Sequence, residues 1–321
     1  MQAVIWGCRG SIPVATPATT IQQKLKTALA QARGRQFADQ AEIDRFVEQE
    51  LPWPVANSFG GNSSCVQIDT GSDEYLICDL GSGLREFGTA MLQRHGPASP
   101  QTYNVLLSHL HWDHIMGFPF FHPAFIPGNK IRIHSCHPDP IEAFWRQQSA
   151  PCFPVDFDAL SADIEFVPLV PGEPVEVAGA TVHAILQYHE GDSFGYRIEC
   201  DDRSVVYSTD SEHKQENADD LQKFADFFAD ADLVIFDAQY SLAEMVSLKE
   251  DWGHSSNLIG VELCHMAKAK HLLLYHHEPA YDDETLFKML QETIRYEELA
   301  RPEDVPALKV SSAYDGMALS F

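Results

Sequence analysis

The stretch Ser108-His109-Leu110-His111-Trp112-Asp113-His114 places three histidines and one carboxylate at the end of the apolar run YNVLLS, residues 103–108. A run of this composition reads as a strand. The polar side chains that follow therefore occupy a turn at a strand's carboxyl end, where they can converge on one point. Imidazole and carboxylate suit zinc, manganese or iron, and alternate spacing lets two side chains face one ion while the other pair faces a second. His109, His111, Asp113 and His114 are candidate metal ligands on this ground.

The flanking sequence supplies the scaffold. Short apolar runs bounded by Gly, Pro, Asn or Asp predict strands at 3–6, 65–69, 75–79 and 130–135. A second series lies at 162–169, 180–187, 194–200, 204–210, 232–238, 271–276 and 307–313. Helical periodicity replaces it at 218–231, 256–269 and 283–300. This order predicts an α/β fold of two sheets flanked by helices, not a simple βαβ alternation. Residues 16–56 break the rhythm: they read as two polar helices ending in Pro52-Trp53-Pro54, inserted into one domain spanning 1–321. Such an insertion could cover a sheet, act as a lid or serve as a dimerisation arm.

Composition narrows the partners. Against 47 Asp and Glu stand only 22 Lys and Arg, a formal charge of −25 with pI near 4.8. That field opposes long nucleic acids and anionic membranes, while a small anionic substrate remains compatible with a bound metal pair. The seven cysteines are scattered without a CxxC pair, and no leader or long apolar segment is evident, so a cytoplasmic protein is expected.

The pattern HxHxDH resembles the signature of the metallo-β-lactamase superfamily, and the rest of that signature recurs in order. His189 after ATVHAILQ, Asp210 in YSTD and His276 ending HLLLYH each follow a predicted strand. The resemblance implies an αββα sandwich of two mixed sheets and two divalent ions, zinc foremost, with manganese or iron as alternatives. It gives His109, His111 and His189 to one ion, Asp113, His114 and His276 to the other, and Asp210 to both. His277, next to His276, leaves the last ligand ambiguous.

GCRGSIPV, FGGNSSC, DLGSGLR, HWDHIMGFPFF and DWGHSS resemble the branch containing ribonuclease Z and cyclic-phosphate phosphodiesterases. In that branch the histidine of GHS, here His254, assists phosphoester cleavage, while Ser255 reads as a helix cap. Asp79 either orients a ligand histidine or ties the GSG turn. Asn62 and Ser63 suit anion contact or turn formation. Asp237 and Tyr240 could position His254 or line the pocket, and Trp112 is expected to pack beneath the ligand turn. Glu190 and Asp192 stand where relatives often have Pro-Gly-Gly, and the insertion separates RGSIP from GGN.

The expected activity is hydrolysis of a small, cyclic phosphodiester such as a cyclic nucleotide. A hydroxide bridging two ions, bound in part by Asp113, would attack phosphorus while His254 assists the leaving oxygen. Thioester, lactone or lactam hydrolysis, di-iron redox chemistry and a non-catalytic nucleotide sensor are the competing readings.

Overall fold

The inserted segment leaves its two flanking motifs in contact: Cys8 donates from its backbone to Asn62 O over 2.9 Å, and Val14 to Gly61 O over 2.8 Å. The RGSIP and GGN loops are thus adjacent despite the sequence between them. The computed structural model describes residues 1–213, 218–241 and 253–321. Strand β1 (Gln2–Gly7) precedes the insertion, which forms α1 (Ala18–Gln31), α2 (Gln40–Arg45) running into a π turn at Phe46–Glu50, and α3 (Trp53–Ala56). The first half continues through β2 (Cys65–Asp69), β3 (Tyr75–Cys78), α4 (Gly83–His95), β4 (Thr102–Leu107) and α5 (Trp112–Ile115). It ends with β5 (Lys130–Ser135), α6 (Ile141–Gln147) and β6 (Asp163–Pro168).

The second half begins with β7 (Val175–Val177), β8 (Ala180–Gln187), β9 (Ser193–Cys200), β10 (Arg203–Ser208) and α7 (Ala218–Phe228). It closes with β11 (Leu233–Asp237), α8 (Asn257–Ala267), β12 (His271–Tyr275), α9 (Asp283–Ala300), β13 (Lys309–Ser312) and β14 (Ala318–Ser320).

These strands build two seven-stranded mixed sheets, ordered β14-β1-β2-β3-β4-β5-β6 and β13-β12-β11-β10-β9-β8-β7. Side-chain alternation shows how they stack. Leu233 and Ile235 of β11 join the core between the sheets, whereas Val234 and Phe236 join the core beneath the helices. Likewise Leu106 of β4 faces the inter-sheet core while Val105 and Leu107 face a third cluster with α4 and its neighbours. Strands covered on both faces explain the continuous apolar runs, and the layers form the expected αββα sandwich.

The strand directions also set where the site can form. β3, β4 and β5 are mutually parallel, as are β10, β11 and β12. Because β9 is antiparallel to both β8 and β10, those two run the same way. The carboxyl ends of β8, β10, β11 and β12 therefore share one sheet edge.

The fold differs from the sequence reading in several places, among them α6, which was not expected, and the insertion, which holds three α-helices instead of two. The short edge strands β7 and β14 are set by pairing with β8 and β1, not by a local apolar run. Helix α4 was hidden by its glycine-rich start. Ser256, not Ser255, caps α8 by accepting from Ile259 N. Ser255 instead donates to Ser211 O at 2.6 Å and accepts from His213 N at 3.0 Å, tying two loops together.

Candidate metal centre

Each candidate metal ligand, and Asp79, sits just past a strand or in the turn behind one, whereas His254 lies just before α8. Asp79, Asp210 and His276 adopt positive φ angles of 60°, 47° and 58°. Left-handed backbone is uncommon for residues with a Cβ, and here it bends the chain sharply where each strand stops. Two loops are shaped around the rings. A Cβ on Gly10 would lie 2.7 Å from the His276 ring, and one on Gly253 would lie 2.5 Å from His189 Nδ1.

The ligand atoms assemble in two overlapping sets. His109, His111 and His189 form one group, and Asp113, His114 and His276 form another; Asp210 closes a third group with His109 and His114. Asp210 joins the sets: its Oδ1 lies 3.2 Å from the Nε2 atoms of both His114 and His276, and its Oδ2 lies 3.7 Å from those of His109 and His189. Asp113 Oδ2 approaches the same two rings at 3.2 and 3.3 Å, and accepts from Ser11 N at 2.8 Å.

Hydrogen bonds on the far side of the rings fix the tautomers. His114 donates from Nδ1 to Asp79 Oδ2 at 2.7 Å, which also accepts the hydroxyls of Ser108 and Tyr207 at 2.7 Å each. With the Ser108 proton committed to Asp79, its oxygen accepts from His109 Nδ1 at 3.0 Å. His189 Nδ1 donates to Gly253 O at 2.8 Å. Nε2 of His109 and His189 therefore carries a lone pair directed into the cluster, and Nε2 of His114 would present one to a cation that displaces its proton. This is the arrangement that metal-binding imidazoles adopt.

The buried donor set fits divalent cations. His109 Nε2 is buried without a hydrogen-bond partner, and His114 Nε2 lies only 3.3 Å from His276 Nε2. Converging imidazole nitrogens and carboxylates are the ligand types of zinc, manganese and iron sites. Their titration reflects the crowding. Burial holds His109 well below the ordinary histidine value, with the nearby His114 adding to it. Burial also disfavours charge on His114, but Asp210, Asp113 and Asp79 hold it well above.

His254 stands beside both sets. Its Nδ1 donates to Asp237 Oδ2 at 2.8 Å and lies 4.0 Å from Asp210 Oδ2; its ring stacks on His276 at 5.1 Å. Burial would lower its pKa, yet the Asp237 carboxylate, aided by Asp210 and Asp113, raises it to about 9. Asp237 also accepts from Ser211 N and Gln239 N. Tyr240 is buried, with its ring 5.8 Å from that of His254.

The structure separates the adjacent histidines. His276 faces the cluster, whereas His277 donates from Nε2 to Ala313 O at 2.8 Å and packs edge-on to Phe59. Burial, with Arg9 nearby, lowers the His277 pKa to about 3. Ser63 is buried and donates to Asp113 O at 2.8 Å, while Asn62 Oδ1 accepts from Ser82 Oγ at 3.0 Å. Ser63 thus braces the ligand turn, and Asn62 ties its loop to the GSG turn. Trp112 is 63% exposed instead of packed beneath that turn, because as the first residue of α5 it faces outward. Glu190 and Asp192 are exposed in the loop beyond His189, where a Cβ on Gly191 would lie 3.5 Å from His111 Nε2. Asp251 and Trp252 of DWGHSS lie outside the described residues.

The sequence reading missed Ser108 and Tyr207, whose hydroxyls converge on Asp79, and Ser11, whose amide holds Asp113. Ser108 and Tyr207 stand at strand ends beside assigned residues, but only tertiary pairing aims them at Asp79.

Among the described residues, no helix is long and apolar enough to cross a membrane. The chain is 32% identical over 145 residues to an uncharacterized protein of Mycobacterium leprae, covering 42% of this chain and 47% of that protein. It thus spans about half the length of the curated relatives it matches. Its fold is similar to that of the metallo-beta-lactamase fold protein YhfI from Bacillus subtilis, with a TM-score of 0.63, 19% identity, and coverage of 99% of this chain and 98% of the other. A diphosphatase from the PhnP family superposes with a TM-score of 0.59 at 19% identity, covering 100% and 97% of the two chains. The Beta-lactamase superfamily domain profile matches residues 66–277, from β2 to the end of the metal-fitting cluster, and the chain belongs to this family.

Proposed function

We infer that this protein is a metal-dependent hydrolase of small phosphodiesters, with cyclic nucleotides as the leading substrate class. The observation that carries the reading is the placement of a carboxylate-held histidine, His254 with Asp237, against a two-set cluster bridged by Asp210. In this reading His109, His111 and His189 hold one divalent ion, Asp113, His114 and His276 hold a second, and Asp210 contacts both. Bound there, the ions would supply an activated water and neutralise charge on the phosphoryl oxygens.

The protein's own groups divide the remaining work. Asp79 orients His114, and Ser11 N fixes the Asp113 carboxylate. Asp237 holds the His254 proton on Nδ1, leaving Nε2 to face substrate and assist departure of the ester oxygen. The acidic surface favours a small substrate over a long polynucleotide. The diphosphatase neighbour supports phosphorus over carbonyl chemistry, and seven unpaired cysteines support a reducing, cytoplasmic setting.

The test combines metal analysis of the purified protein with turnover of bis-para-nitrophenyl phosphate, a cyclic nucleotide panel and chromogenic thioesters and lactams. Two equivalents of metal and preferential phosphodiester turnover, lost in Asp210→Asn, are expected. Preference for the acyl substrates would overturn the assignment, and nucleotide binding without turnover would mark a sensor.

A further inference from the structure

Helix α1 is inverted with respect to its own domain. None of its 14 residues is buried. It leans on the domain through the half-buried Thr20, Lys24, Thr27 and Ala28, with Lys24 donating to Asn57 O and pairing with Asp283. The apolar row Ile21, Leu25 and Leu29, spaced by four residues along one face, is 47%, 58% and 71% exposed. An amphipathic helix normally buries such a row.

Charge is distributed just as unevenly. Residues 1–38 carry five basic and no acidic residues in a chain of formal charge −25; Arg9 is buried, Lys24 pairs with Asp283 and Arg35 with Glu50, which leaves Lys26 and Arg33 as the cations beside the apolar row. The next segment has the opposite sign: Asp39, Glu42, Asp44, Glu48 and Glu50 against Arg45 alone. That α2 and π-turn segment also presents Ile43 and Val47 to solvent, 39% and 38% exposed, while Phe46 between them turns inward. With Arg35 and Glu50 paired to each other and Glu42 near Arg45, the insertion displays an apolar row accompanied by Lys26 and Arg33 and an apolar pair accompanied by Asp44 and Glu48.

We propose that the insertion is a homodimerisation element in which α1 of each protomer packs on the α2 and π-turn segment of its partner. A two-fold axis makes this contact twice, so each basic row meets an acidic one and both apolar sets are covered. The acidic α2 segment and the strongly negative chain disfavour an anionic lipid surface as the occupant. This interface is independent of the reaction assigned above, and its test does not read activity.

Sedimentation velocity of the full chain across a concentration series tests the proposal. A dimer is expected, weakened by salt and weakened at least about tenfold by the double substitution Leu25→Asp with Leu29→Asp, since charges would enter an apolar contact. Both positions are exposed, so the circular dichroism spectrum should not change. Lys26→Glu with Arg33→Glu should also dissociate the dimer, and adding Asp44→Lys with Glu48→Lys should restore it. A wild-type chain that remains monomeric, a dimer indifferent to Leu25 and Leu29, or failure of the charge exchange to restore association would overturn the proposal. So would a monomer that floats with phosphatidylserine vesicles through Leu25 and Leu29.

Discussion

His114 donates from Nδ1 to the carboxylate of Asp79 across 2.7 Å, and both side chains are completely buried. The Asp79 oxygen that takes this proton also accepts from Ser108 and Tyr207, so one carboxylate orients the His114 ring and, through Ser108, the His109 ring. Asp79→Asn should therefore lower metal affinity about 10- to 100-fold, the usual effect of losing a partner behind a ligand histidine. Tyr207→Phe should have a smaller effect, because three donors to Asp79 remain: His114 Nδ1, Ser108 Oγ and Ser108 N. Competition with a chromogenic chelator measures both, and unchanged affinity in Asp79→Asn would refute this role.

His254 should matter for chemistry more than for metal retention. His254→Ala is expected to retain both metal equivalents while kcat falls roughly 10²- to 10⁴-fold on an alkyl phosphodiester. A para-nitrophenyl ester departs readily without a proton, so the deficit on that substrate should be much smaller. Asp237→Asn should follow the same pattern more weakly. An equal deficit on both esters would place His254 in binding instead of proton transfer.

The glycines beside the rings should act on different ions. Gly10→Ala puts a Cβ against the His276 ring and should impair the Asp113, His114 and His276 set. Gly253→Ala crowds His189 and also places an alanine at φ +79°, so the His109, His111 and His189 set should suffer. Each variant is expected to bind one equivalent of metal where the wild type binds two, measured by elemental analysis after gel filtration. Full occupancy in both would show that the loops yield.

Acid should weaken the fold through histidines remote from the cluster. Burial, with Arg132 adding, lowers His134 to about 4, and burial with Lys309 does the same for His271. Their unfolded value is near 6.5, so between about 6.5 and 4 the unfolded chain binds more protons and stability falls as pH falls. Each site should contribute up to a few kcal/mol across that window. Urea midpoints at about pH 7 and about pH 5 should differ less in His271→Gln than in the wild type. An identical pH dependence would remove His271 from the account.

The main strands and three later helices were legible because their apolar runs are long and bounded by turn residues. HxHxDH was legible because its candidate ligands are local in sequence. β7 and β14 were not, since three-residue edges acquire strand geometry only from a neighbour. The outward face of Trp112 and the bracing role of Ser63 were equally hidden, because local pattern reports periodicity and not which direction a turn faces.

The sequence by itself determined the fold class, the order of the candidate ligands and their position after strands. Those follow from residue type, spacing and the physics of short apolar runs. Only the tertiary structure decided between His276 and His277, joined Ser108 and Tyr207 to Asp79, and turned α1's apolar row toward solvent. The first two share one reason. A side chain's direction at a strand end is set by backbone dihedrals and by partners distant in sequence, such as Asp79 for Ser108, 29 positions apart, Asp79 for His114, 35 apart, and Ala313 for His277, 36 apart.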